Sequence, residues 1–168
     1  MFFYINMFFI FSFLGFLFEN VWMLIINENY FNSGILYGPW AFIYGIAILC
    51  LMFIGKKLRE KKLKIWLEVL IFFIIAVFLM TFIEFCGGIL IERLFHKVYW
   101  DYTNMKINFG RYICLEVSFF WGLFATVVSY LLVPLMKKLA VKIPRVVTVI
   151  VMVLFVVDII ATMVNFLE

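Results

Sequence analysis

Four carboxylic acids and an asparagine stand where an apolar chain has least reason to carry them. Glu19 and Asn20, Glu84, Glu116 and Asp158 each interrupt a long apolar run, and Glu92, Asp101 and Arg111 lie just beyond one. A charged side chain at the centre of a membrane helix costs about 2.5–3.5 kcal/mol on insertion. Each must therefore face a partner, a cavity or a helix-packed interior. Acids held in such places bind cations, amines or protons. Two of them, one protonated and one ionised, also make the equipment of general acid–base catalysis. Arg111 can pair with Asp101 or Glu92, or hold a ligand carboxylate or phosphate with two parallel hydrogen bonds.

Other chemistries lack their residues. Cys50, Cys86 and Cys114 are scattered without a CxxC pair, and His96 is the single histidine, so no zinc site, other metal site or cofactor is expected. No phosphate-binding GxxxxGK[ST] loop, GxSxG elbow, HExxH helix or dinucleotide glycine fingerprint occurs. If ATP drives this protein, its hydrolysis takes place on a separate chain.

The elements that must position these groups follow from composition. The 168 residues are 68% hydrophobic and 14% charged, against about 45–50% and about 25% in soluble domains. So short a chain cannot hide that much apolar surface in its own core, so its solvent is lipid. A soluble enzyme, a nucleic-acid-binding domain, a disordered tail and a secreted disulfide scaffold are excluded. An all-α, polytopic membrane helix bundle is expected, as one domain over 1–168, with about five spans at 2–26, 36–55, 66–91, 112–134 and 146–166. The first run lacks a basic leader and a small-residue cleavage site, so it reads as a helix rather than a signal peptide.

Lys and Arg orient the spans. The second-to-third connection carries six (Lys56, Lys57, Arg59, Lys61, Lys62, Lys64), and the fourth-to-fifth carries four (Lys137, Lys138, Lys142, Arg145). The third-to-fourth carries Arg93, Lys97, Lys106 and Arg111 beside Glu92 and Asp101, and the first-to-second carries none. The two basic connections are thereby assigned to the cytoplasm, with the N-terminus inside and the C-terminus outside. The segment 93–111 then forms the longest outer loop, and Tyr99, Trp100 and Tyr102 suit the membrane interface. All the intramembrane polar residues fall in the outer halves of their helices.

Helical spacing sorts them into faces. Ser12, Gly15 and Glu19 share one stripe; Thr81, Glu84, Gly88 and Glu92 share another. Arg111, Ser118, Gly122, Thr126 and Ser129 align while Glu116 points to the opposite side, and Asp158 aligns with Thr162 and Asn165. Small residues beside acids let helices approach closely enough for polar contact. Such contacts also serve as plain glue worth about 0.6 kcal/mol each, a role that Asn20, Glu116 and Asp158 fit as well as any other.

Three blocks in order, FSFLGFLFENVW, SGILYGPWAFIYG and FIEFCGGILIERLFHKVYWDYTNMKINFGRYICLEVSFFWG, resemble the ABC-transporter type IV (CmpB-like) membrane family, which has small vertebrate transmembrane relatives. The resemblance covers about residues 10–135. The family's helix acids match Glu19, Glu84 and Glu92. Its two glycine blocks match Gly34, Gly38 and Pro39, then Tyr44 and Gly45. Its outer block matches Trp100, Asp101 and Tyr102, followed by Asn108, Gly110 and Arg111. The chain departs from it at Ser33 for Arg, Phe42 for Pro, Tyr99 for Trp and Thr103 for Ser.

The resemblance implies a transporter or permease-like subunit in the bacterial plasma membrane. Its partners would be membrane lipids, further copies or other membrane subunits, and a separate ATPase chain, with no nucleic acid. The intramembrane acids and the blocks matched by the resemblance together imply an outward-facing polar pocket of Glu19, Asn20, Glu84, Glu92, Asp101, Tyr102, Asn108 and Arg111. Gly38-Pro39 and Tyr44-Gly45 suggest a broken start to the second helix, and the WDYT segment a lid. Two alternatives stand beside transport: a membrane enzyme acting on a lipid or glycolipid at the outer leaflet, with Arg111 on the phosphate, and a non-catalytic assembly or scaffold protein.

Overall fold

The computed structural model describes residues 1–27, 35–96 and 98–167; Gly34 and Ser33 of the first glycine block lie outside them. The helices are α1 (Phe2–Asn27), α2 (Phe42–Glu60), α3 (Ile65–Phe95), α4 (Leu115–Val127), α5 (Val133–Ala140) and α6 (Arg145–Leu167). A short antiparallel hairpin, β1 (Asn108–Phe109) with β2 (Ile113–Cys114), precedes α4. Four stretches are long and apolar enough to cross a membrane: Phe2–Ile25, Ile65–Leu94, Leu115–Ala140 and Arg145–Asn165. The chain is an all-α polytopic membrane protein. Its helices leave large apolar side chains such as Phe78, Phe82 and Val153 exposed, as a helix solvated by lipid must.

Three boundaries differ from the expected spans, each for a local reason. The second span was expected over 36–55, but residues 35–39 bend and α2 begins only at Phe42. Pro39 disfavours helical backbone in the residue before it, and Trp40 N–H closes a tight turn on the Gly38 carbonyl at 2.8 Å. At its other end α2 runs on through Lys57 and Arg59 to Glu60, since cations in a last turn suit the helix dipole. Those charges keep α2 out of the four apolar stretches. The fourth span was expected from 112, but Ile113 and Cys114 are taken by the hairpin, so α4 starts at Leu115.

Past α4 the helix widens into one π turn, Val128–Leu132, where Val133 N–H reaches back five residues to the Val128 carbonyl. Pro134 lacks an N–H, and its ring would strike the Tyr130 carbonyl in a regular helix. One wide turn accommodates it.

The chain divides into two compact units. The first joins Met1–Leu49 with Leu135–Glu168. There the buried Asn6 amide donates to the Ala140 carbonyl (2.9 Å) and accepts from the Thr148 hydroxyl (2.6 Å), while Phe155 meets Phe8, Phe9 and Trp40 edge-on. The second unit is Cys50–Pro134, dominated by α3 against α4. Gly122 makes that approach possible: a Cβ there would run into the Val77 side chain.

Candidate functional site

The second unit gathers most of the singled-out residues around the end of α3 and the segment that follows. α3 stops at His96, whose left-handed backbone (φ 51°) turns its N–H onto the Glu92 carbonyl at 3.0 Å. Asp101 then organises a turn, accepting the Thr103 N–H (2.9 Å) and hydroxyl (2.6 Å) on Oδ1. The Asn108 amide donates to the carbonyls of Tyr102 and Thr103, both at 3.0 Å. Gly110, at φ +69°, closes the hairpin in a conformation that other residues rarely adopt. Together these bonds aim Asp101, Tyr102, Arg111 and Tyr112 back at α3.

Two carboxyls of α3 receive them. Glu92 accepts Arg111 Nη1 at 2.9 Å on one oxygen and the Tyr112 hydroxyl at 2.7 Å on the other. Arg111 Nε pairs with Asp101 Oδ2 at 3.1 Å, so one guanidinium ties two acids. Tyr112 lies against Gly88, one turn earlier on α3, where a Cβ would come within 2.6 Å of its ring. The charged trio is about two-fifths exposed, so solvent screens each pair. What it supplies is position: the segment is latched to the end of α3.

One turn further into α3, Glu84 is the more enclosed acid. Its Oε1 accepts the Tyr102 hydroxyl at 2.6 Å, while Oε2 is buried with no hydrogen-bond partner among the described residues. Trp121 of α4 also faces this carboxyl. Burial, then the Glu84 carboxyl, pushes the Tyr102 phenol far above the ordinary tyrosine range, so it stays a donor. The hydrogen bonds from Thr103, then the Arg111 charge, hold Asp101 below the usual carboxylate range. Arg111 is raised by its bond with Tyr112 and by the acids beside it.

Glu84, Glu92, Asp101, Tyr102, Asn108 and Arg111 thus come together, with Gly110 setting the turn and Trp100 edge-on to Tyr112 at 6.2 Å. Glu19 and Asn20 belong to the other unit. Asn20 is buried there, its amide donating to the Phe16 carbonyl at 2.8 Å and its Oδ1 without a partner among the described residues; Glu19 is half-buried. In the same unit Tyr44 packs on Gly15, Gly45 lies against Ser12 and Phe8, and Gly38 precedes Pro39 in the bent stretch before α2. Asp158 accepts the Tyr37 N–H (3.1 Å) and the Gly38 N–H (2.8 Å), and so caps that irregular backbone. An apolar groove of about 330 Å³, lined by Tyr4, Phe8, Phe9, Met152 and Phe155 among others, also lies in this unit.

Sequence reasoning passed over Tyr112, Trp121 and Glu68. Gly88 was the available signal for Tyr112, since a helix glycine one turn before an acid leaves room for a ring to reach that acid. Glu68 stands in the first turn of α3.

A family model described as "Putative ABC-transporter type IV" matches residues 6–163. The chain belongs to this family. No curated protein and no solved structure matches it. The match spans both units and every residue of the network above. The family name and the four apolar helices together make this a transporter-related integral membrane protein.

Proposed function

We propose that the protein is a permease-like membrane subunit that takes a small cation, an amine or a proton at Glu84. The observation that carries this is the Glu84 carboxyl itself. It lies within an apolar helix, with one oxygen held by Tyr102 at 2.6 Å and the other buried near Trp121 with no close donor among the described residues. An ionisable group inside a membrane segment is a ligand or proton site by default. The Lys and Arg count places its end of α3 outside, so the Arg111 latch is a lid over an outward-facing site.

An enzyme holding a lipid phosphate on Arg111 is less well supported, because Nη1 and Nε already hold Glu92 and Asp101. Further copies of the chain or other membrane subunits would complete a transport path, and energy from ATP would come from a separate ATPase chain. The membrane is the bacterial plasma membrane in this proposal.

The test is uptake into proteoliposomes, using sodium, methylammonium and a proton-reporting dye as probes. Wild type should move at least one of the three, and Glu84→Gln should slow that flux tenfold or more with helix content unchanged. Equal flux in the variant, or no flux of any probe in wild type, overturns the proposal. New lipid products released by wild type and not by Glu84→Gln would install the enzyme in its place.

A further inference from the structure

We propose that the cation is a proton and that the α3–α4 interface carries it from Glu84 to a second carboxyl, Glu68, near the other end of α3. This rests on Glu84 as the entry site. Glu68 is 6% exposed, an unusual burial for an acid. Its Oε1 accepts the Tyr130 hydroxyl at 2.9 Å, and it forms no ion pair among the described residues. Glu84 and Glu68 thus repeat one device, a carboxyl of α3 held by a tyrosine hydroxyl. Tyr130 sits within the π turn, its ring edge-on to Phe72 at 5.3 Å. The Arg59 charge acts on Tyr130 without pairing with Glu68. Around Glu84 the facing groups are Tyr102 and Trp121.

Between the two glutamates, 16 residues or about 24 Å apart along the helix, runs a line of hydroxyls. Ser118, Gly122, Thr126 and Ser129 occupy one face of the α4 segment, the face on which Gly122 meets Val77 of α3. Ser118 and Thr126 are only 4% and 7% exposed. Thr126 donates to the Gly122 carbonyl at 2.8 Å, which leaves its oxygen free to accept. Thr81 of α3 donates to the Val77 carbonyl at 2.7 Å, beside the same approach.

Ser118 Oγ and Ser129 Oγ are buried with no hydrogen-bond partner among the described residues. A buried hydroxyl without a partner costs stability, and alanine at either place would avoid it. Two such hydroxyls on one stripe, with a glutamate toward each end, are what a relay through bound water requires. In the relay Glu84 takes a proton from outside, each hydroxyl accepts one proton and passes its own onward, and Glu68 releases one to the cytoplasm. One proton enters, one leaves, and no electrons move.

The test is acidification of dye-loaded proteoliposomes driven by a potassium diffusion potential, for wild type, Glu84→Gln, Glu68→Gln and the double variant Ser118→Ala, Ser129→Ala. The serine variant should fold as stably as wild type or better, since it removes no hydrogen bond, yet slow proton flux tenfold or more. Glu68→Gln should do the same. If Glu84→Gln stops the flux while the serine variant and Glu68→Gln run at wild-type rate, the relay is overturned and Glu84 keeps its role. Sodium or methylammonium flux that needs Glu84, with no proton flux, has the same meaning. Wild-type proton flux in Glu84→Gln removes both.

Discussion

Replacing Tyr102 by Phe isolates the bond at the centre of the candidate site. Its ring is placed by backbone contacts that the substitution leaves alone: the Tyr102 N–H donates to the Arg111 carbonyl at 2.8 Å, and Asn108 holds the Tyr102 carbonyl at 3.0 Å. Only the 2.6 Å bond to Glu84 is lost, and a second buried carboxyl oxygen is left without its donor. A hydrogen bond to a charged group is worth about 1.5–3 kcal/mol. A chain of this size loses about 2–4 °C of Tm per kcal/mol, so Tm should fall by about 3–12 °C. Reversible unfolding in mixed micelles, followed by tryptophan fluorescence, measures the free energy directly. In a Glu84→Gln background the amide oxygen still accepts the phenol, and the same substitution should cost roughly half as much, because neutral bonds are about half as strong. A loss below about 0.5 kcal/mol, well under the range for such a bond, would mean that the Tyr102 hydroxyl is not held by Glu84. An equal loss in both backgrounds would mean that the carboxyl charge plays no part in the bond.

Gly122→Ala would push a methyl into the Val77 side chain and to within 3.0 Å of its Cα, costing about 1–3 kcal/mol of stability as overpacking does. Adding Val77→Ala should recover much of that loss, and strictly additive losses in the double variant would show that α3 and α4 do not meet there. Asp101 is held below its usual range by Thr103 and then Arg111, so its folded value lies below its unfolded one, about 3.9. Its stabilising contribution is therefore present above that unfolded value and lost as pH falls through the folded one. Hydrogen-exchange protection over 101–111, taken relative to the intrinsic rate at each pH, should fall on acidification from pH 5 to 2, and Asp101→Asn should flatten that dependence; identical profiles would sink the assignment.

Composition and run length carried the membrane class and four of the helices, because apolar surface on this scale admits no other solvent. Gly38-Pro39 marked the irregular entry to α2, where a proline restricts its neighbour whatever surrounds it. The hairpin over 108–114 was hidden: two residues on each strand are too few for a period-two pattern to show. Pro134 signalled a disturbance, but whether a helix breaks, kinks or widens by a residue is decided by the packing around it. Within the site, the spacing of Glu84, Gly88 and Glu92 announced one face of α3. Which acid would meet Arg111 depended on the fold of residues 98–114, and no spacing rule reaches across so long a segment without helix.

The intramembrane acids differ most in how many donors each receives, and that difference separates their roles. Asp158 takes two backbone N–H groups, and at 3.4 Å the Thr162 hydroxyl. Every one of those donors belongs to the frame, so protonating or removing the carboxyl would free the backbone before α2. Glu92 takes a guanidinium and a phenol on separate oxygens while staying two-fifths exposed, which suits a latch that water can reach. Among the described residues, Glu84 takes the Tyr102 phenol and faces Trp121, and Glu68 accepts the Tyr130 phenol without an ion pair. The relay proposed above needs carboxyls of this kind, held in place by a phenol and tied to no cation among the described residues.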